Sequence, residues 1–138
     1  MELTREQAIE EHRKMWKWIS RQIMKDYKEQ CLIKNIVSYK KLYIKNNFKN
    51  EYVRNSCFCC DYAYSKSQYD NCLFCPLYWN DENTEEDCTE GYYHLIYEFF
   101  HNITICSREG YSVCEEGAKK LSEMAYKIAM LEERKDNV

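Results

Sequence analysis

The segment from Cys57 to Cys75 constrains the fold of this chain more than any other. It contains two Cys-x2-Cys pairs, Cys57 with Cys60 and Cys72 with Cys75, which are separated by eleven residues. Each pair directs two sulfurs toward one point, and two such pairs complete the tetrahedron in which Zn²⁺ binds four thiolates at about 2.3 Å. Four thiolates leave no coordination position for a reactive water. The spacing therefore predicts a zinc knuckle that stabilises the fold and does not catalyse a reaction.

Disulfide bonds and buried free thiols are the competing interpretations. The chain has nine cysteines, an odd number, and its first residues lack the apolar run of an export signal. We therefore expect a reducing cytosol, where this spacing favours a metal over disulfides. Cys59, inside the first pair, and Cys88, farther along the chain, remain spare candidate ligands.

The length of 138 residues predicts a single domain built from three parts. Residues 1–56 form a basic helical part, residues 57–91 the zinc knuckle and an acidic loop, and residues 92–138 an aromatic segment and a carboxyl-terminal helix. Three glycines and one proline favour long helices. No run reaches the roughly eighteen apolar residues of a membrane span, so we expect no membrane contact.

The amino-terminal part predicts a long helix. Thr4 and Gln7 have the spacing of a capping box, which satisfies two amides at a helix start. Apolar residues then recur at three- and four-residue steps and predict a buried stripe: Ala8, Ile9, His12, Met15, Trp16, Ile19 and Ile23. His12 is interpreted as a core histidine with satisfied hydrogen bonds. Trp18 lies off the stripe and either widens the buried face or marks a docking surface for another chain.

Further helices follow, and they predict a mainly α fold. Asn35 is expected to interrupt the helical pattern, with Ser38 capping a short helix over residues 39–45. Residues 92–100 predict a short buried helix, with a strand as the alternative, and a final helix is expected from Glu115 to about Arg134. We expect the two long helices to pack together, with the zinc knuckle and the short helices between them.

Charge is divided unevenly along the chain. Residues 1–56 contain thirteen Lys/Arg and seven Asp/Glu, whereas residues 57–114 contain two and ten. Four thiolates on Zn²⁺ add about two further negative charges to the middle region. This region is therefore an unfavourable nucleic-acid contact, since phosphates require lysine and arginine.

Both charged regions offer candidate contacts for a partner. The acidic candidates are Glu85, Glu86 and Asp87, and the basic candidates are Lys40 and Lys41, with Trp18 as an apolar candidate. The segment 34–54 also interleaves lysines with aromatic residues, a pattern that holds single-stranded nucleic acid by charge and stacking. A solvated lysine face on a helix with buried tyrosines explains the same pattern.

Four further residues lie around the aromatic segment: His94, His101, Cys106 and Cys114. With Cys88 they contain enough nitrogen and sulfur ligands for a second metal, but their spacings match no standard pattern. A catalytic Cys–His pair from this set lacks a supporting motif as well. We therefore expect no enzymatic activity.

Three motifs in the right order resemble a family of small, uncharacterised, cysteine-rich proteins encoded by phages and prophages of Firmicutes. The motifs are residues 11–19 (EHRKMWKWI), Cys57-x2-Cys60 followed by Cys72-x2-Cys75-Pro76-x2-Trp79, and residues 128–134 (IAMLEER). The last motif departs from the family pattern, because Leu131-Glu132-Glu133-Arg134 stands where the family has Leu-Pro-Glu-Arg. The resemblance implies a viral protein that acts in the cytosol of a bacterium.

The leading hypothesis is a non-enzymatic, zinc-stabilised protein that binds and modulates a host or phage protein. The viral origin implied by the resemblance extends it to an anti-CRISPR or other anti-defence inhibitor. The alternative is a nucleic-acid-binding regulator that uses the basic segment 34–54. An enzyme that pairs Cys106 or Cys114 with His94 or His101 ranks third.

Overall fold

The architecture is organised around one long amino-terminal helix, α1, which spans Arg5–Gln30. The structure, a computed structural model, describes residues 2–49, 51–67, 74–83, 88 and 90–135. The Thr4 hydroxyl accepts the Gln7 N–H at 3.1 Å, and the Gln7 side-chain oxygen accepts the Thr4 N–H at 2.9 Å. The predicted capping box is therefore confirmed.

The last helix, α5, spans Glu115–Ala129 and packs antiparallel against α1. Near the middle of both helices the Ser20 hydroxyl donates to the Ser122 carbonyl at 2.7 Å. Closer to the start of α1, the His12 Nε2–H donates to the Ile128 carbonyl at 2.8 Å. Small alanines on α5 are fully buried and allow this close approach. The prediction that the two long helices pack together is confirmed.

Two shorter helices lie between them in sequence, α2 over Ile36–Phe48 and α3 over Phe58–Lys66. A short 3-10 turn, Arg54–Ser56, leads into α3. The expected cap of α2 was wrong, because Asn35 is the cap and not an interruption: its side-chain oxygen accepts the Ser38 N–H at 2.7 Å.

Helix α4 spans Tyr92–Ile103 and confirms the helical interpretation of the aromatic segment. The end of α5 differs from the expected one near Arg134, since the helix stops at Ala129. Beyond α5 the chain lies beside residues 76–78. The Tyr78 N–H donates to the Glu132 backbone carbonyl, and the Arg134 N–H donates to the Pro76 backbone carbonyl. This pairing replaces the hydrogen bonds of a further helical turn.

A small antiparallel sheet pairs the chain that follows α1 with the hairpin between α4 and α5. Its strands are β1 (Leu32–Ile33), β2 (Ile105–Ser107) and β3 (Gly110–Ser112), in the order β1-β3-β2. Strands of two or three residues are too short to produce an alternating pattern, so the sequence did not predict them. Gly110 has a φ of 149°, a conformation that favours glycine.

Buried apolar side chains from all five helices form one continuous cluster with residues of β1 and of the segment 77–79. The predicted stripe of α1 lies in it, with Met15, Trp16, Ile19 and Ile23 almost fully buried. No helix in the described part of the chain combines the length and the apolar character that crossing a membrane requires.

Candidate metal centre

Five cysteines from three separate parts of the chain lie together at the start of α3. We call them the thiol cluster: Cys57, Cys59, Cys60, Cys75 and Cys88. Cys57 is the N-cap of α3, and its sulfur accepts the Cys60 N–H at 3.4 Å. The start of a helix thus holds the first Cys-x2-Cys pair in place, and residues distant in sequence approach it.

Inside the cluster the thiols contact one another in pairs. Hydrogen bonds join Cys57 to Cys60, Cys60 to Cys88, and Cys59 to Cys75. Among the described residues, no three Cys, His, Asp or Glu side chains surround a common point as metal ligands do. Cys72, the remaining predicted ligand, lies outside the described residues.

Burial and mutual hydrogen bonding keep most of these thiols protonated in the absence of a metal. The pKa of Cys57 is raised by its hydrogen bond with Cys60 and by burial, and that of Cys59 by its hydrogen bond with Cys75 and by burial. For Cys60, the bond with Cys57 lowers the pKa, but the bond with Cys88 and burial outweigh it and raise the pKa to about 12.

Cys75 is different, because its sulfur is surrounded by donors. The hydrogen bond from Cys59 is the largest effect and lowers the pKa of Cys75, whereas burial raises it. The Leu77 N–H, the Trp79 indole and the nearby Arg134 guanidinium lower it further, and the resulting pKa is about 7. The Trp79 Nε1–H lies 3.4 Å from the Cys75 sulfur. Donors of this kind stabilise a thiolate, the form in which cysteine binds metals.

A cleft of about 320 Å³ opens beside the cluster. It is lined by Trp16, Lys40, Asn55, Cys57, Cys60, Trp79, Cys88 and Tyr93. Lys40 is only 7% exposed: its ammonium group donates to the Asn55 carbonyl at 3.2 Å and lies 4.5 Å from the centre of the Tyr93 ring. The Lys40 side chain therefore points into the cleft and is not exposed on α2, and its contact with a partner stays a prediction.

The other candidate partner contacts are dispersed or lie outside the described residues. Lys41 is exposed, whereas Trp18 is half-buried against the rings of Tyr39 and Tyr43, at centroid distances of 6.4 and 5.7 Å. Trp18 therefore widens the buried face of α1. Glu85, Glu86 and Asp87 lie outside the described residues.

Only some of the lysines in the basic segment 34–54 are exposed and unpaired among the described residues. The Lys34 ammonium group pairs with Asp26 at 3.6 Å, and Lys40 is buried. Lys41 and Lys45 are exposed on α2, and Lys49 is exposed directly after it. Tyr39 and Tyr43 are core residues and do not offer free rings for stacking on bases.

The remaining histidines and cysteines do not assemble in the described part of the chain. His94 pairs with Glu98 at 3.3 Å, and the ring of His101 packs against Tyr97 at 4.5 Å. Neither histidine forms a hydrogen bond to a described cysteine. Cys106 is exposed on β2, and Cys114 caps α5 by accepting the Gly117 N–H at 3.4 Å.

His12 is a core residue, as predicted, but only one of its ring nitrogens is satisfied. Its Nε2–H donates to Ile128, whereas Nδ1 is buried without a hydrogen-bond partner among the described residues. The ring lies between Trp16 and Trp79, at centroid distances of 6.5 and 5.7 Å. Burial lowers its pKa from 6.5 to about 4.

This shift predicts a loss of stability in acid. The unfolded chain binds a proton at His12 near pH 6.5 and the folded chain only near pH 4, so the contribution is complete above pH 6.5 and is lost as the pH falls to about 4. The full shift corresponds to about 3 kcal/mol. The free energy of unfolding, measured with urea, should fall between about pH 7.5 and about pH 5. The fall should be about 2 kcal/mol smaller in His12→Gln than in the wild type. Identical pH dependence in both proteins would contradict the assignment.

An acidic cleft of about 250 Å³ lies on the outer side of Trp79. Exposed Asp81, Glu82 and Glu90 line it together with Leu95, which is 49% exposed. Gly91 closes one wall, packed so tightly on the Trp79 carbonyl that no Cβ fits. The charge count of residues 57–114 predicts an acidic face, but the prediction of a buried helix over residues 92–100 does not anticipate that Leu95 is exposed.

Comparisons with models of known protein families, with curated proteins and with solved structures gave no match to this chain. The resemblance to phage and prophage proteins therefore remains a prediction. Any function has to be inferred from the thiol cluster and from the exposed surfaces.

Proposed function

We propose that this chain is a non-enzymatic, zinc-stabilised phage protein that binds and modulates a host or phage protein in the host cytosol. The observation that carries the proposal is the convergence of thiols from three chain segments at the start of α3. In a reducing compartment such a set of sulfurs binds Zn²⁺ in preference to forming disulfides. Four thiolates close the coordination sphere, which fits a structural role.

The proposed ligands are Cys57, Cys60, Cys72 and Cys75. Three of them belong to described residues, and two of these already accept N–H donors at 3.4 Å, Cys57 from Cys60 and Cys75 from Trp79. Such donors hold the sulfurs that bind a metal in position. Cys88 is the competing fourth ligand, because it contacts Cys60 in the described structure.

The surroundings also suit the charge of such a centre. Zn²⁺ with four thiolates carries a net charge of about −2. The buried Lys40 ammonium group lies near enough to Cys57 to lower its pKa, and the buried Arg134 guanidinium does the same for Cys75. Each brings a positive charge that reduces the cost of burying the anionic centre. The metal would then hold α3 and the segment 75–79 against the core.

The acidic cleft beside Trp79 is the proposed contact for the partner. An apolar residue surrounded by charged groups is a common arrangement at protein interfaces, and Leu95 with Asp81, Glu82 and Glu90 has it. Such a cleft fits a basic surface. The nucleic-acid groove of a host defence machine is basic, so an anti-CRISPR or other anti-defence inhibitor is the form of the proposal that the charge supports best.

Capture from a bacterium infected by the phage tests this function. The wild-type protein should recover a host or phage protein that resists washing, and a Glu82→Lys/Glu90→Lys/Leu95→Ala variant should recover at least about tenfold less, because each change removes a central contact. Lys41→Glu, an exposed change elsewhere on the surface, is the matched control and should retain the partner. Equal recovery by the cleft variant, or equal loss in the control, would refute the cleft as the contact.

A further inference from the structure

A row of five cations runs along the solvent-facing side of α1. We call Lys14, Lys17, Arg21, Lys25 and Lys28 the α1 basic stripe. They follow one another at steps of three or four residues and therefore share one face of the helix. Lys17 is half-buried and the others are exposed. At 1.5 Å per residue the stripe is about 21 Å long.

Most of this charge is not neutralised within the described protein. Lys14 pairs with Glu10 and Glu11, at 3.2 and 3.6 Å. The other four cations of the stripe form no ion pair with any residue that the structure describes. Glu29 lines the same groove as Lys25 and Lys28 at one end of the stripe.

The sequence between the ends of the stripe contains one carboxylate, Asp26, and it is not on the surface. Asp26 is 5% exposed and accepts hydrogen bonds from Tyr39 at 2.8 Å and from Gln22 at 2.9 Å. The stripe is thus a strongly positive surface on a protein whose net charge is −3. Such local fields attract polyanions whatever the sign of the total charge.

We propose that the α1 basic stripe binds the phosphate backbone of a nucleic-acid duplex. This activity goes beyond the proposed protein binding and uses a different surface from the segment 34–54. A strand of duplex DNA advances 3.4 Å per nucleotide, so a stripe of about 21 Å lies along about six base pairs. Binding through phosphates alone is independent of sequence.

The side chains around the stripe favour a duplex over the other polyanions. Protein interfaces are centred on aromatic or apolar anchors and are depleted of lysine. Trp18 and Met24, the large apolar residues beside the stripe, pack against the core and provide no such anchor. Single strands bind by stacking bases on exposed rings, and the half-buried Trp18 offers none. Lysine and arginine without rings suit phosphates that lie on the outside of a helix.

Fluorescence anisotropy with a labelled duplex of about 20 base pairs tests the proposal. Four phosphate contacts, one for each unpaired cation of the stripe, predict that wild-type affinity falls by about 150-fold between 50 and 200 mM salt. The Lys17→Glu/Arg21→Glu/Lys25→Glu variant should bind at least about thirtyfold more weakly, with a salt slope lower by about three. Lys41→Glu/Lys45→Glu/Lys49→Glu changes the net charge equally on α2 and should remain within about twofold of the wild type.

Single Arg21→Gln and Lys25→Gln variants separate a loss of phosphate contacts from a loss of the fold, because each alters only one exposed side chain. Each should lower the salt slope by about one. Three results would overturn the proposal: no binding by the wild type at 50 mM salt, unchanged binding by the stripe variants, or an equal loss in the α2 variant. Polyglutamate that competes as well as the duplex at equal charge concentration would also overturn it, in favour of an acidic protein.

Discussion

Cys60→Ser is expected to abolish both metal binding and cooperative folding. Structural zinc contributes roughly 10–16 kcal/mol of apparent binding free energy in small modules, comparable with the whole stability of a domain. Serine does not replace a thiolate on zinc, and Cys60 contacts two other members of the thiol cluster. Elemental analysis of the purified variant and its thermal unfolding measure the two losses.

Cys106→Ser is the matched control for this change. Cys106 is exposed on β2 and lies outside the thiol cluster, so its replacement should alter the free energy of unfolding by less than about 0.5 kcal/mol. A Cys60→Ser protein that keeps its metal and unfolds like the wild type would rule out Cys60 as a ligand. The zinc content of Cys72→Ser and Cys88→Ser identifies the fourth ligand, because the metal is lost only when a cysteine that binds it is replaced.

Leu121→Ala should lower the free energy of unfolding by roughly 2–5 kcal/mol. Leu121 is fully buried on the inner face of α5, which packs against α1 and α4, so truncation removes apolar contacts and leaves a cavity. Urea unfolding at a pH near 7.5, where His12 does not titrate in either state, isolates the packing effect.

Leu95→Ala removes the same atoms from a helix position that is 49% exposed. This control should cost about 1 kcal/mol or less, because solvent already reaches the side chain and no cavity forms. Equal losses in the two variants would mean that α5 does not bury Leu121 in the core in solution.

The helices with the longest periodic patterns were the ones that the sequence predicted well. The start of α1 follows from Thr4 and Gln7, and its buried face follows from apolar steps that repeat from Ala8 to Ile23. The α5 stripe is equally regular, but the helix end was misplaced by five residues, from Ala129 to Arg134. The cause is tertiary: residues 131–134 pair with the segment 76–78, which no local pattern shows.

The sequence likewise predicted only some features of the candidate site. Regular spacing identified Cys57, Cys60 and Cys75, which the structure brings into one cluster. Spacing could not predict that Lys40 turns into the cleft, because that depends on how α2 meets Asn55 and Tyr93. It also missed the contact of Cys59 with Cys75, since that pair forms only once α3 is folded.

Zinc content and coordination of the wild-type protein decide whether the thiol cluster is a zinc site. Protein produced in zinc-supplemented medium should contain about one zinc per chain, and X-ray absorption should show four sulfur ligands at about 2.3 Å. Folded protein that contains no zinc, or zinc bound mainly by nitrogen and oxygen, would rule out a four-thiolate zinc centre.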